Sequence, residues 1–99
     1  MFNYKDWTMT FIWDMNKSIE NVLKHGVSFE IAQQAFFDEK RKIYFDEKHS
    51  EREKRYYCYG MVDNEILTVR FTIRNEQIRI MGAGYWRKGR KVYHEEQQD

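Results

Sequence analysis

Proline is absent from the 99 residues, and cysteine occurs only once, at Cys58. A single cysteine excludes an internal disulfide and is typical of a protein in a reducing compartment, so we expect a cytoplasmic location. Without proline or a segment rich in glycine and serine, nothing indicates a linker, and we expect one domain over residues 1–99. No apolar run is long enough to cross a bilayer, and the amino terminus lacks the apolar core of a signal peptide, so we expect no membrane partner.

Net charge is also nearly absent, but the charges are unevenly distributed. The chain carries a formal +1, whereas residues 70–91 hold seven arginines and lysines against Glu76 alone, a net +6 that leaves −5 for the rest. A strongly basic segment in a near-neutral chain predicts an anionic ligand at that segment. A solvated strand face followed by a soluble helix would give the same composition, so the charge alone leaves this alternative open.

The segment from Ile66 to Ile80 shows the clearest pattern. Apolar and polar residues alternate along it, with Leu67, Val69, Phe71 and Ile73 on one side and Thr68, Arg70, Thr72 and Arg74 on the other. This period is typical of a strand with one buried face, and Asn75-Glu76 then predicts a hairpin turn. A two-residue loop pairs Arg74 with Gln77, Ile73 with Ile78, Thr72 with Arg79 and Phe71 with Ile80. Arg70, Arg74 and Arg79 then share one face, where they repel one another unless an anion lies there.

The preceding strand extends this face in one of two ways. Arg55–Val62 turns at Asp63-Asn64 into Ile66. A turn of two or four residues puts Cys58 on the core side and adds Arg55, Tyr57 and Tyr59 to the face of the arginines. A three-residue turn would exchange the two faces, because side chains alternate along a strand.

The other elements complete an α+β fold, with a helical hairpin packed on an antiparallel sheet of about four strands and a short basic C-terminal helix. Helices are predicted from Asp14 or Asn16 to Gly26 and from Ser28 onward, because both begin with a capping residue. Thr10–Trp13 and Ile43–Phe45 are short candidate strands, and Arg87–Glu96 is the basic helix. The polar run Asp46–Lys54 predicts a solvent-exposed loop.

The run Lys-His-Gly-Val-Ser-Phe-Glu-Ile-Ala at residues 24–32 resembles the BrnT family. Further motifs of this resemblance are Trp13-Asp14, Asn21, the strand from Arg55 to Gly60, Arg74 and Ile78–Ile80. The resemblance implies a RelE-like α+β fold and a ribonuclease toxin of a type II toxin–antitoxin system, which arrests translation. It also implies an RNA substrate, free or on the ribosome, and a BrnA-type antitoxin that forms a hetero-oligomer with the toxin.

The chain departs from many members of this family at two glycines. Gly82-Ala83-Gly84 stands where those members have Ser-Ala-Arg, and Gly89 stands where they carry a glutamate in the terminal helix. If the missing arginine is catalytic in the family, Arg87 is the nearest substitute.

The predicted chemistry is cleavage of RNA by its own 2′-hydroxyl, with arginine stabilising the extra charge on phosphorus. Arg55, Arg74 and Arg79 are the predicted catalytic arginines, although each alone is also compatible with a surface residue. His25 is the candidate general base, because histidine titrates near neutral pH. A role in capping the helix before Gly26 is the alternative for His25. The predicted RNA-binding residues are Arg70, Tyr85, Trp86, Arg87, Lys88, Arg90 and Lys91.

No cofactor or metal site is predicted. The carboxylates lie mostly in residues 38–53 and 95–99, and the basic segment contains Glu76 alone, at a turn. A two-metal site needs several convergent carboxylates, so we expect cleavage to be independent of metal. Two alternatives to an enzyme remain open: an RNA-binding module without catalysis, and a protein-interaction module whose basic face holds an acidic partner.

Overall fold

A computed structural model describes residues 9–95 of the chain. Within these residues the elements are, in chain order, β1 (Phe11–Ile12), α1 (Met15–His25), α2 (Phe29–Ala32), a first 3₁₀ segment (Gln33–Phe37), β2 (Lys42–Phe45), a second 3₁₀ segment (Glu47–His49), β3 (Arg55–Val62), β4 (Glu65–Arg74), β5 (Gln77–Gly84) and α3 (Arg87–His94). The basic terminal helix is therefore confirmed as far as His94, and Glu96 lies outside the described residues.

The strands form one sheet in the order β1-β5-β4-β3-β2. This confirms the α+β fold class, but the sheet has five strands rather than about four, and β1 runs parallel to β5. Two residues are too few for β1 to show a period of its own. It is held at the edge of the sheet by Ile78, whose backbone N–H donates to the Thr10 carbonyl at 2.8 Å.

Two tight turns set the register of the three long strands. Asp63-Asn64 and Asn75-Glu76 all have positive φ, between 49° and 67°. Such two-residue turns match the twist of antiparallel strands and bring the flanking residues into direct opposition. The pairing predicted from Phe71–Ile80 through Arg74–Gln77 is confirmed, and Cys58 lies on the core side, as the shorter turn requires.

An irregularity in β5 changes which residues face the core. Phe71 pairs with Ile80, but Arg70 pairs with Gly82, so Met81 is an extra residue in β5. This bulge carries Ala83 to the core side and turns Gly82 and Gly84 to the opposite face. β5 continues through these glycines and ends at Gly84.

The core lies between the sheet and the α2 region. Its fully buried members include Phe29, Ala32, Ala35, Phe36, Leu67, Val69, Phe71, Ile78 and Ile80. Both helix starts are confirmed, since Asp14 accepts a hydrogen bond from the Asn16 N–H at 2.8 Å and Ser28 accepts one from the Ile31 N–H at 3.1 Å. Gly26, at φ 72°, ends α1 in the left-handed conformation.

Helix α1 buries polar residues instead of its apolar ones. Leu23 is 83% exposed, whereas Ser18 and Asn21 are buried. β1 pairs with β5 only at Ile78 and Arg79, which leaves the backbone of Ala83 without a neighbouring strand on the β1 side. Asn21 takes that place, because its amide donates to the Ala83 carbonyl at 2.9 Å and accepts from the Ala83 N–H at 3.3 Å. Helix α1 thus supplies hydrogen-bond partners to backbone groups of β5 that would otherwise lack them.

Candidate functional site

Four arginines lie on the side of the sheet opposite the core, and we call them the arginine face: Arg55, Arg70, Arg74 and Arg79. Thr72 of β4 has Arg55 of β3 on one side and Arg79 of β5 on the other. Arg70, two residues along β4, lies between Tyr57 and Gly82. The face predicted from the alternating pattern is therefore confirmed, and Arg55 belongs to it.

Glu53 adds a carboxylate to the arginine face. Its two oxygens accept from Arg74 Nε at 3.2 Å and Nη2 at 3.1 Å, a bidentate pair. The hydrogen bond from Arg74 lowers the pKa of Glu53 most, and the charges of Arg55 and Arg79 lower it further. The predicted repulsion among the arginines is thus relieved partly by the protein itself. Sequence reasoning missed this residue, since Glu53 belongs to a loop without periodicity.

The same loop holds a second group of polar side chains, which sequence reasoning also missed. Asp46 is only 8% exposed, although the loop was expected to be solvent-exposed throughout. Its carboxylate lies 2.8 Å from His49 Nδ1 and also hydrogen-bonds the Tyr57 hydroxyl. Burial raises the pKa of Asp46, but the hydrogen bond and charge of His49 and the bond from Tyr57 outweigh it, so the pKa lies below its ordinary value. The Asp-x-x-His spacing, one helical turn, was the available signal.

Helix α3 crosses the middle of this side of the sheet. A Cβ at Gly89 would lie 2.0 Å from Thr68 Oγ1 and 3.3 Å from a Tyr59 ring carbon, so glycine is what allows the helix to approach this closely. At its far end, Lys42 Nζ donates to the carbonyls of Val92 and Glu95. The Tyr93 hydroxyl donates to the Asp38 carboxylate. The departure at Gly89 therefore has a packing reason.

The basic side chains of α3 point away from the sheet. Arg87, Lys88, Arg90 and Lys91 are all exposed, so the predicted RNA-binding cations are accessible. Helical spacing places Lys88 and Arg90 on opposite flanks of α3. On the Arg90 flank, a cavity of about 310 Å³ is lined by Met61, Asn64, Glu65, Ile66, Tyr85, Arg90 and His94. Arg90 also donates to the Tyr85 carbonyl at 3.4 Å.

The structure places His25 and Trp86 together, at the edge where β5 leads into α3. Their rings meet edge to face with centroids 5.1 Å apart. The Trp86 ring covers Gly84, where an added Cβ would lie 2.5 Å from it. Arg79 is five residues before Gly84 on β5, a distance of roughly 16 Å along a strand. His25 is thus brought to Trp86, at the end of β5 far from Arg79.

The described residues bear on two further roles, a reactive thiol and a metal site. Burial raises the pKa of the Cys58 thiol, which fits the core role predicted for it. Among residues 9–95, no three histidine, cysteine, aspartate or glutamate side chains lie close enough together to hold a metal ion. No helix in that part of the chain is long and apolar enough to span a bilayer.

Comparison with known proteins identifies the family. No curated protein matched the sequence. The family model described as the ribonuclease toxin BrnT of type II toxin–antitoxin systems matches residues 13–89, from the residue after β1 to the first turn of α3. A toxin of such a system has an antitoxin protein as its partner. Because the match covers most of the sequence, this chain belongs to the BrnT family of ribonuclease toxins.

Proposed function

We propose that this protein is an endoribonuclease that cleaves RNA without a metal ion, arrests translation and is neutralised by a BrnA-type antitoxin. The observation that carries the proposal is the arginine face, which presents four guanidinium groups on one side of the sheet. In a chain of a ribonuclease toxin family, the most direct use of this surface is to bind the phosphates of RNA.

The spacing of the arginines suits one phosphate group. Arg55 and Arg79 lie on strands that flank β4, so their Cα atoms are roughly 10 Å apart. Long side chains can converge over Thr72 from that distance. Each guanidinium has a planar fork that can grip two phosphate oxygens and stabilise the charge that develops on phosphorus.

Arg74 retains donors for a substrate despite its pairing with Glu53. A guanidinium has five N–H groups, and the bidentate pair uses two of them. Arg74 therefore stays a predicted catalytic residue that Glu53 also orients. His25 stays a predicted general base by residue type, and its contact with Trp86 places it away from Arg79.

The surface around α3 supports a role in holding the rest of the RNA chain. Tyr85 and Trp86 are each 36% exposed, which leaves ring area for stacking a base. The cavity beside Arg90 is lined by the apolar side chains of Met61 and Ile66 as well as by Arg90 itself. We assign Arg70, Arg87, Lys88 and Lys91 to phosphate contacts, because they are exposed cations along the same surface.

Metal independence is supported by what surrounds the arginine face. The Glu53 carboxylate contacts the arginine face, and both its oxygens bind Arg74. A two-metal mechanism would need carboxylates free to ligate cations. The RNA 2′-hydroxyl can instead act as the nucleophile, with the arginines in the role of the cations.

Cleavage of a labelled RNA tests the proposal. Activity should persist in excess EDTA, and a substrate with 2′-deoxy or 2′-O-methyl at the cut position should resist cleavage. Arg79→Ala should abolish cleavage and relieve growth arrest, while Gln77→Ala, on the same strand, serves as the matched control. Activity that EDTA removes and magnesium restores would overturn the mechanism. RNA that is bound but left intact would favour the binding module without catalysis.

We further propose that the BrnA-type antitoxin covers the arginine face with acidic residues, which would exclude RNA from it. The co-expressed complex should then lose RNA binding at moderate salt. A complex that still cleaves RNA would show that the antitoxin binds elsewhere.

A further inference from the structure

The proton that leaves the RNA 2′-hydroxyl needs an acceptor beside the arginine face. We propose that His49 is this general base, with Asp46 and Tyr57 as the positioning residues that hold it there. The inference rests on the proposed ribonuclease function and adds the acid–base group that the arginines cannot supply, since a guanidinium remains protonated in proteins.

The first support is the geometry of the three side chains. The Asp46 carboxylate is buried and receives two hydrogen bonds, one from His49 Nδ1 at 2.8 Å and one from the Tyr57 hydroxyl. An ionised carboxylate only accepts hydrogen bonds, so the proton of neutral His49 must lie on Nδ1. Nε2 is then a free acceptor. The His49 side chain is 55% exposed, which leaves that nitrogen open to a substrate.

The second support is the attachment of the loop to the arginine face. The Asp46 N–H donates to the Arg55 carbonyl at 2.8 Å, and the Arg55 N–H donates to Ser50 Oγ at 3.0 Å. Farther along the loop, the Lys54 carbonyl accepts from Thr72 Oγ1 at 2.6 Å. These bonds attach the loop to Arg55 and to Thr72, which lies between Arg55 and Arg79. They hold the loop in a fixed position, as a catalytic group requires.

The third support is the chemical surroundings of the pair. Titratable and charged groups near the pair lie on three strands: Tyr57 and Tyr59 of β3, Tyr44 of β2, and Arg70 of β4. Burial raises the pKa of Tyr57 and the charge of Asp46 raises it further, whereas the Arg70 charge lowers it. Tyr57 therefore stays protonated near neutral pH and keeps its hydrogen bond to Asp46. The carboxylate in turn stabilises the imidazolium that forms during reaction.

The proposed step balances in protons and electrons. His49 Nε2 takes the proton of the 2′-hydroxyl, and the 2′-oxygen forms a bond to phosphorus. The bond from phosphorus to the 5′-oxygen breaks, and that oxygen leaves with the electron pair and takes a proton from water. The products are a 2′,3′-cyclic phosphate and a 5′-hydroxyl, and the His49 imidazolium returns its proton to water.

The test is the pH profile of cleavage of a labelled single-stranded RNA by the full-length protein. The wild-type profile should have an acid limb, because a general base must be unprotonated to accept a proton. His49→Ala should lower the rate by about 10²–10⁴-fold and lose this acid limb. His49→Gln can still donate to Asp46 but cannot titrate, so it should fold like the wild type and show the same loss. Added imidazole should restore part of the His49→Ala rate.

Asp46→Asn distinguishes a residue that positions His49 from one that only supports the fold. Without the carboxylate, the imidazolium is less stable, so the acid limb should move to lower pH while the rate falls. A purely structural role would lower the rate and leave the limb in place. Glu47→Gln, an exposed change in the same 3₁₀ segment, is the control and should keep the wild-type profile.

The outcomes that overturn the inference differ from those that overturn the proposed function. If wild type cleaves RNA and a folded His49→Gln cleaves it equally well, His49 is not the base and the ribonuclease function stands. If His25→Ala loses the acid limb and His49→Gln keeps it, His25 is the base. If wild type leaves RNA intact under all conditions, the proposed function fails and the inference fails with it.

Discussion

The two sides of the sheet have opposite characters although the same strands make both. On one side, Leu67, Val69 and Phe71 are completely buried beneath the α2 region. On the other side, Arg70 and Arg74 of the same strand are exposed, and α3 covers only the middle. Burial of apolar side chains on one side therefore supplies most of the folding free energy, whereas the other side carries the side chains that can bind a ligand. Substitutions should therefore separate stability from activity according to the side they occupy.

The largest effect on stability is expected in the core. Phe36 is completely buried and its ring lies 5.0 Å from that of Phe71, so Phe36→Ala should lower the free energy of unfolding by about 3–5 kcal/mol. Leu23→Ala on α1 removes a side chain that is 83% exposed and should change it by less than about 0.5 kcal/mol. Urea denaturation measures both. Equal effects would mean that α1 buries Leu23 in solution.

The sequence predicted the pairing of the strands better than the orientation of α1. The pairing of β4 with β5 from Phe71–Ile80 to Arg74–Gln77 was predictable, because alternation fixes the faces and two polar residues fix the turn, whereas the sequence left both faces of β3 open. The orientation of α1 was not predictable. Its apolar residues recur at helical spacing, yet Ser18 and Asn21 face inward, since the backbone around Ala83 and Phe29 needs hydrogen-bond partners. Such a need arises only when the tertiary fold is known.

The residues of the candidate site also differ in how well the sequence predicts their positions. Arg70, Arg74 and Arg79 could be placed on one face from the sequence, because strand period determines their side, whereas the side of Arg55 depended on the length of the turn after β3. Glu53 could not be placed, since a loop has no period to indicate direction, and Asp46 and His49 showed only the spacing of one helical turn. Glu53 reaches a residue 21 positions later in the chain. The bulge at Met81 was equally hidden, because a single inserted residue leaves no compositional trace.

An intermediate effect is expected where α3 lies on the sheet. Gly89→Ala would force a Cβ to within 2.0 Å of Thr68 Oγ1, so the helix must lift. Overpacking typically costs about 1–3 kcal/mol, and the better helix propensity of alanine returns about 1 kcal/mol of that. Gly82→Ala is the matched control on the open part of the same side, because its nearest atom, Arg70 Nη1, would be 3.7 Å away. Thermal unfolding should show a lower midpoint for Gly89→Ala alone. If Gly82→Ala is equally destabilising, the open part of this side is packed as tightly as the part under α3.

A smaller, pH-dependent effect should come from the contact that holds the end of α3. Burial raises the pKa of Asp38, but hydrogen bonds from Tyr93, Met61 and Lys40, with the charge of Arg41, bring it below its ordinary value. A lowered pKa means that the folded state holds this proton less tightly, so the carboxylate stabilises the fold above about pH 4. That stability is lost as the pH falls through the folded-state pKa.

Asp38→Asn tests this contact. The variant should be about 1 kcal/mol less stable at pH 7, and its stability should depend less steeply on pH between about 5 and 3. Denaturation midpoints across that range measure the effect, and the exposed neighbour Glu39→Gln is the control. Parallel pH curves for Asp38→Asn and wild type would show that another acidic group accounts for acid unfolding.

The smallest effect on stability is expected on the arginine face, at Glu53 and Arg74. Their side chains are 28% and 48% exposed, so a double-mutant cycle with alanine should give a coupling of about 0.2–1 kcal/mol that weakens at high salt.

The effect on ligand binding should be larger and opposite in sign. Glu53 competes with phosphate for Arg74 and also acts on Arg55 and Arg79, so Glu53→Ala should tighten RNA binding while slightly destabilising the fold. Titration of labelled RNA at several salt concentrations measures this. If Glu53→Ala weakens RNA binding while the protein stays folded, the carboxylate helps to position the arginines, and the two sides of the sheet are coupled more closely than their separate packing indicates.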